Sequence, residues 1–150
     1  MIQLVTSGRR ALVVCLVALA AVVGSVGRAD AATNPYTPTE ACGSSYYALH
    51  SMPVKTNSGQ TWGRVYLMYS RSTRKNCVVT IKTSFVGTPT KTTAWIEARN
   101  GAVGYDEGDF KYYARDYVYA PGYCVWYGGY IYNPTRTTYA YAASDWGWCD

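Results

Sequence analysis

Nucleophilic hydrolysis needs a base beside its nucleophile, and His50 is the single histidine of this 150-residue chain that could activate a serine. No nucleophile-elbow pattern surrounds any serine, and a lone histidine flanking a strand reads as a surface or turn residue. The acidic run Asp106-Glu107-Gly108-Asp109 suggests a carboxylate pair for acid–base work or part of a calcium loop. Its spacing fits neither pattern, and acidic residues around a glycine between aromatic segments read as a hairpin turn. No CxxC spacing accompanies the cysteines, so a zinc site lacks its usual ligands. We therefore expect no catalytic residues, no metal and no cofactor.

The aromatic tail is the remaining candidate. Tyr127, Tyr130, Tyr132, Tyr139, Tyr141, Trp146 and Trp148 exceed what a small core can bury, so some of these rings should face solvent. Exposed flat rings beside a glycine-rich turn such as Gly128-Gly129 suit stacking on sugars or adhesion to another protein. The alternative is extra structural packing.

Before these residues can be positioned, the chain must be divided. Arg9 and Arg10 precede an unbroken apolar and small-residue run from Ala11 to Val26, the pattern of an export signal. Ala29-Asp30-Ala31 places small residues at the first and third subsites of signal peptidase, so cleavage is expected after Ala31. The run falls short of the roughly 20 apolar residues that span a bilayer. Nothing later is long and apolar enough to span one, and the mature product should be secreted. Cleavage leaves 119 residues, one domain's worth, with 11 basic against 8 acidic groups. That mild charge is scattered. Its densest cluster, Arg71, Arg74 and Lys75, sits in a polar turn, which excludes the one-sided basic face of a nucleic-acid binder.

Cys15 leaves with the signal, and Cys42, Cys77, Cys124 and Cys149 remain, an even set in an exported chain. Two disulfides are expected. Three connectivities are open; pairing Cys42 with Cys77 and Cys124 with Cys149 is favoured, because these bonds close sequential loops without crossing.

Period-two alternation recurs along the mature chain, the mark of strands with one buried face. Cys77, Val79 and Ile81 alternate with Thr80 and Lys82, and Val65, Leu67 and Tyr69 with Tyr66 and Met68. Between them, Ser70 to Asn76 makes a turn. Ala94, Ile96 and Ala98 alternate with Trp95, Glu97 and Arg99, closed by Asn100-Gly101. Weaker strands fall around Phe110 and Tyr112, Val118, Cys124 and Trp126, and Tyr139 and Tyr141. A first strand, Tyr46 to Ser51, ends where Met52 precedes Pro53. The fold class is all-β: a single small antiparallel sandwich or barrel of about eight short strands. Its parts are a signal over 1–31, an extended lead-in over 32–41 and the disulfide-bonded domain over 42–150.

The order of segments is familiar. Ala41-Cys42-Gly43-Ser44, Lys75-Asn76-Cys77-Val78-Val79-Thr80-Ile81-Lys82, Val86-Gly87-Thr88-Pro89, Asp106-Glu107-Gly108, Tyr112-Tyr113-Ala114, Cys124-Val125-Trp126-Tyr127-Gly128 and a cysteine near the end together resemble the spore-associated protein A family of small secreted actinomycete proteins. The resemblance departs at Arg115-Asp116, where Gly-Pro is expected, over Thr56 to Gly63, and after Tyr130. It implies an extracellular protein found with spores or aerial structures, and carries over no catalytic residue. The expectation is a secreted, non-enzymatic protein at the cell or spore surface. Its partner would be a wall or spore-surface polymer, or another secreted protein. A small secreted enzyme inhibitor is the alternative.

Overall fold

Alternation dictates which side chains point together, and pairing order dictates what they enclose. The computed structural model describes residues 32–149; the expected signal, 1–31, lies outside them. Eight strands follow one short helix: α1 (Pro38–Cys42), β1 (Tyr47–Lys55), β2 (Thr61–Ser70), β3 (Lys75–Lys82), β4 (Thr90–Ala98), β5 (Val103–Phe110), β6 (Tyr113–Tyr119), β7 (Val125–Tyr132) and β8 (Tyr139–Ala143). They form one antiparallel sheet in the order β5-β4-β7-β8-β1-β2-β3-β6, curled into a nearly closed barrel. Disulfides join Cys42 to Cys77 and Cys124 to Cys149.

The interior takes every second residue. Val65 and Leu67 of β2, Val78 of β3, Ala94, Ile96 and Ala98 of β4, and Val125, Tyr127 and Ile131 of β7 make one cluster. Many of its members are small, as a narrow barrel requires. At Gly129, any Cβ would strike the Thr80 hydroxyl across the barrel. Gly128-Gly129 is therefore the middle of β7 and not the turn that composition suggests.

A second apolar cluster lies outside the barrel. Ala41, Cys42 and Tyr46 cover Met68, Cys77, Val79 and Ile81 on the outer side of β2 and β3. The lead-in thus contains α1, where an extended segment is expected. Pro38 opens the helix, and Thr37 and Glu40 form a reciprocal capping box. With this cover β3 is buried on both faces. Thr80 and Lys82, expected on the solvent side, point inward beside Val78, while Cys77, Val79 and Ile81 face α1.

Two further boundaries differ from expectation. β1 runs through Pro53 to Lys55. Proline is tolerated there because β1 is scarcely paired with its second neighbour, Lys55 alone opposing Tyr141 of β8. Asp106 to Asp109 lie within β5, paired against β4 from Ala94 to Lys91. The turn is at Asn100-Gly101, where Gly101 has φ +85°.

β5 and β6 are the sheet's two ends, and carboxylates join them where the ladder does not. Tyr105 N–H donates to Asp116 Oδ2 at 2.6 Å, and Arg115 N–H donates to Asp106 Oδ2 at 2.9 Å. An open cleft of about 510 Å3 borders this closure, lined by its residues together with Tyr36, Phe110 and Tyr112.

Candidate functional site

One half of the barrel's outside is covered by the lead-in and α1; the other half, β8-β7-β4-β5, is bare. Strand register decides what this bare face displays, since side chains opposite one another share a side of the sheet. Tyr141, Tyr130, Thr93 and Glu107 form one row across it, and Tyr139 faces Tyr132 in the next. Trp95 lies between Gly128 and Tyr105, and Trp126 beside Glu97.

The tyrosines make a compact group. Ring centroids are 4.6 Å apart for Tyr130 and Tyr141 and 5.4 Å for Tyr132 and Tyr139. Tyr139 and Tyr141 remain 46% and 39% exposed. Burial, and then the neighbouring phenols, raise the Tyr130 hydroxyl above the usual tyrosine range. Lys91 Nζ stands 5.5 Å from the Tyr132 ring centre and pairs with Glu107 at 3.0 Å.

A second aromatic group lies along the same face. Trp95 and Trp126 meet edge to face at 4.4 Å, Trp146 follows at 6.0 Å, and the Arg99 guanidinium covers Trp146 at 4.4 Å. Gly128 makes this possible: a Cβ there would collide with the Trp95 ring and the Ala142 carbonyl. Glu107 supplies a polar group beside the rings, with the buried Thr93 hydroxyl donating to its carboxylate. The Glu107 carboxylate accepts the hydroxyl of Tyr105, 2.7 Å away. That bond chiefly holds Glu107 below the ordinary carboxylate range and raises Tyr105. Flat rings flanking hydrogen-bonding groups on a rigid sheet can stack the apolar faces of a polymer while orienting its hydroxyls.

Of the seven aromatic candidates, Tyr130, Tyr132, Tyr139, Tyr141 and Trp146 gather on this face. Tyr127 and Trp148 do not. Tyr127 is 0% exposed because the alternation of β7 turns it inward with Val125 and Ile131. Trp148 packs on the end of the core, its ring 5.4 Å from Tyr127 and 4.8 Å from His50. His50 lies in β1, within the stretch expected to form the first strand, and shares a 2.7 Å hydrogen bond with the Tyr127 hydroxyl. Burial raises that phenol well above its usual range. No carboxylate bonds to His50 among the described residues; its ring nitrogen is engaged by the Tyr127 hydroxyl.

Sequence reasoning missed Trp95, Trp126, Tyr105, Lys91 and Arg99 as parts of the face. The signal was present for Trp95 and Arg99. They alternate with Ala94, Ile96 and Ala98, which places them outside once those three are inside. Among the described residues no group of three acidic, histidine or cysteine side chains is placed to hold a metal, and no helix is long and apolar enough to cross a membrane.

Fold and face define a class: a small antiparallel β-barrel held by two disulfides, covered on one side and bearing an aromatic plateau on the other. Within it the chain is similar to Spore-associated protein A of Streptomyces coelicolor, 48% identical over 94 residues, 61% of this chain and 57% of that protein. The chain thus spans less than two thirds of its relative. No family model matches the sequence, and no solved structure matches the fold.

Proposed function

We propose that the domain is exported and attaches, without catalysis, to a glycan or other polymer of the cell or spore surface. The attachment face is the plateau of Tyr130, Tyr132, Tyr139, Tyr141, Trp95, Trp126 and Trp146. The carrying observation is the asymmetry of the barrel. Both halves of its outside have apolar or aromatic character, yet the lead-in and α1 pack on β2, β3 and β6 and leave the outer tyrosines of β7 and β8 uncovered. Soluble proteins seldom leave such a face unused. The export pattern of residues 1–31 and the similarity to a protein named for its association with spores support the location.

The test is co-sedimentation of the purified protein with isolated cell walls, spores and insoluble polysaccharides. Replacing Tyr132 and Tyr139 by Ala removes the outer pair of the plateau and should weaken retention by about tenfold or more, one well-placed ring being worth on the order of 1–2 kcal/mol. Tyr119→Ala, on β6, should leave retention unchanged. Absence of retention on every polymer, or undiminished retention in the folded double variant, would sink this reading.

A further inference from the structure

The charges of β5 and β6 do not cancel pairwise. Glu107 pairs with Lys91 at 3.0 Å and Asp109 with Arg136 at 2.8 Å. Asp116 accepts the backbone amides of Tyr105 and Tyr117, one on each carboxylate oxygen, and Asp106 accepts that of Arg115 on one of its two. The side chains of Arg115 and Lys111 are left in no salt bridge among the described residues. Both border the cleft beside the β5–β6 closure.

Aromatic rings wall the same cleft. Tyr36 stands 5.3 Å from Tyr112 and 5.2 Å from Tyr113, centre to centre. Its backbone is fixed there: the Tyr36 N–H donates to Asn34 Oδ1 at 3.0 Å, and Asn34 Nδ2 donates to the carbonyls of Lys82 and Tyr112 at 3.0 and 2.8 Å. The Arg115 guanidinium lies 5.8 Å from the ring centres of Tyr113 and Tyr117, which holds its planar fork beside the opening. The lead-in thus builds one wall of a cavity whose volume of about 510 Å3 falls within the range of roughly 300–1,000 Å3 usual for small-ligand sites. A guanidinium without a carboxylate partner can hold an incoming carboxylate by two parallel hydrogen bonds. The Tyr36 ring meets Tyr112 at 58° and Tyr113 at 74°, so the three make a corner and not a slot for a flat aryl ring. Phenol hydroxyls and the second Asp106 oxygen supply donors and acceptors for the hydroxyls of a sugar.

We propose that this cleft binds a carboxylate-bearing sugar, with Arg115 and Lys111 holding the acid group and the corner of Tyr36, Tyr112 and Tyr113 receiving the apolar face of the ring. The site is separate from the plateau, and its test is read at other residues than polymer retention.

The experiment titrates the purified, disulfide-bonded protein with a galacturonate trisaccharide, with the neutral galactose trisaccharide and with benzoate, followed by NMR. The galacturonate should bind saturably and shift the signals of the Arg115 Nε–H and of the Tyr36 and Tyr113 rings, while the neutral sugar and benzoate bind about tenfold more weakly or not at all. Arg115→Gln leaves the amide of the closure in place and should weaken galacturonate binding about tenfold. Tyr36→Ala removes a ring outside the barrel and should weaken it about fivefold. Tyr119→Ala should change nothing. No saturable response, equal affinity for the neutral sugar or for benzoate, undiminished binding in either folded cleft variant, or shifts confined to Tyr139 and Tyr141 of the plateau would each overturn the assignment.

Discussion

Lys82 should make this protein more stable in mildly alkaline solution than at neutrality. Its side chain is fully buried, and Nζ donates to Thr90 Oγ1 at 2.7 Å, to the Thr88 carbonyl at 2.8 Å and to the Phe110 carbonyl at 2.9 Å. No carboxylate is among these partners, so these neutral acceptors only partly replace the lost hydration of the ammonium, and burial brings its pKa down from 10.5 to about 8. The neutral amine, in contrast, is fully satisfied: it donates to the two carbonyls and accepts from the Thr90 hydroxyl, which needs only to rotate.

The sign follows from linkage. The unfolded chain holds the Lys82 proton more tightly than the native one, so stability rises with pH between the two pKa values. At pH 9.5 the native state gains a factor of roughly thirty relative to pH 7, or about 2 kcal/mol. The phenols held above their usual range, among them Tyr105, Tyr117 and Tyr130, act the other way. Their contribution is present below pH 10 and lost above it, so the window of pH 7 to 9.5 belongs to Lys82. Urea unfolding at several pH values, disulfides intact, measures the rise. Lys82→Met cannot titrate and should abolish it, while lowering stability throughout by roughly 2–4 kcal/mol through the acceptors left unpaired. A flat or falling wild-type profile would refute the reasoning, as would an equal rise in the methionine variant.

Three other outcomes follow from the fold. Replacing Cys42 and Cys77 by Ser opens a 35-residue closure, and chain entropy then puts the loss at about 4 kcal/mol, read as a lower thermal midpoint. Gly128→Val drives a side chain into the Trp95 ring; it should cost roughly 1–3 kcal/mol and alter tryptophan fluorescence, since the ring must move. Asp106→Ala removes the acceptor of the Arg115 amide, so hydrogen exchange at that amide should quicken and stability fall by roughly 1–3 kcal/mol.

Strand existence was legible because period two is written plainly in Val65-Tyr66-Leu67 and in Ala94-Trp95-Ile96. Which side was interior was less so. Cys77, Val79 and Ile81 read as the core face of β3 but lie beneath α1, because a strand covered on both sides carries apolar residues at both phases, and local pattern cannot rank them. The same ambiguity placed Tyr127 among the exposed rings: only the pairing of β7 with β4 turns it inward. The acidic run misled because carboxylates are ordinarily read as turn residues, whereas here Asp106 serves the end of a sheet, a role visible only once β6 lies alongside. The aromatic face was half legible. Its β7 and β8 members stood in a dense run, but Trp95 and Lys91 join them through pairings far apart in sequence.

The carboxylate closure between β5 and β6 has a consequence for crowded surroundings. An unpaired strand edge offers its amide groups as a template on which other chains can build. Tyr105 and Arg115 have already given theirs to Asp116 and Asp106, so over this stretch the sheet cannot be extended by a neighbour's backbone. Where many copies are crowded together, backbone-templated growth through this stretch is thereby disfavoured.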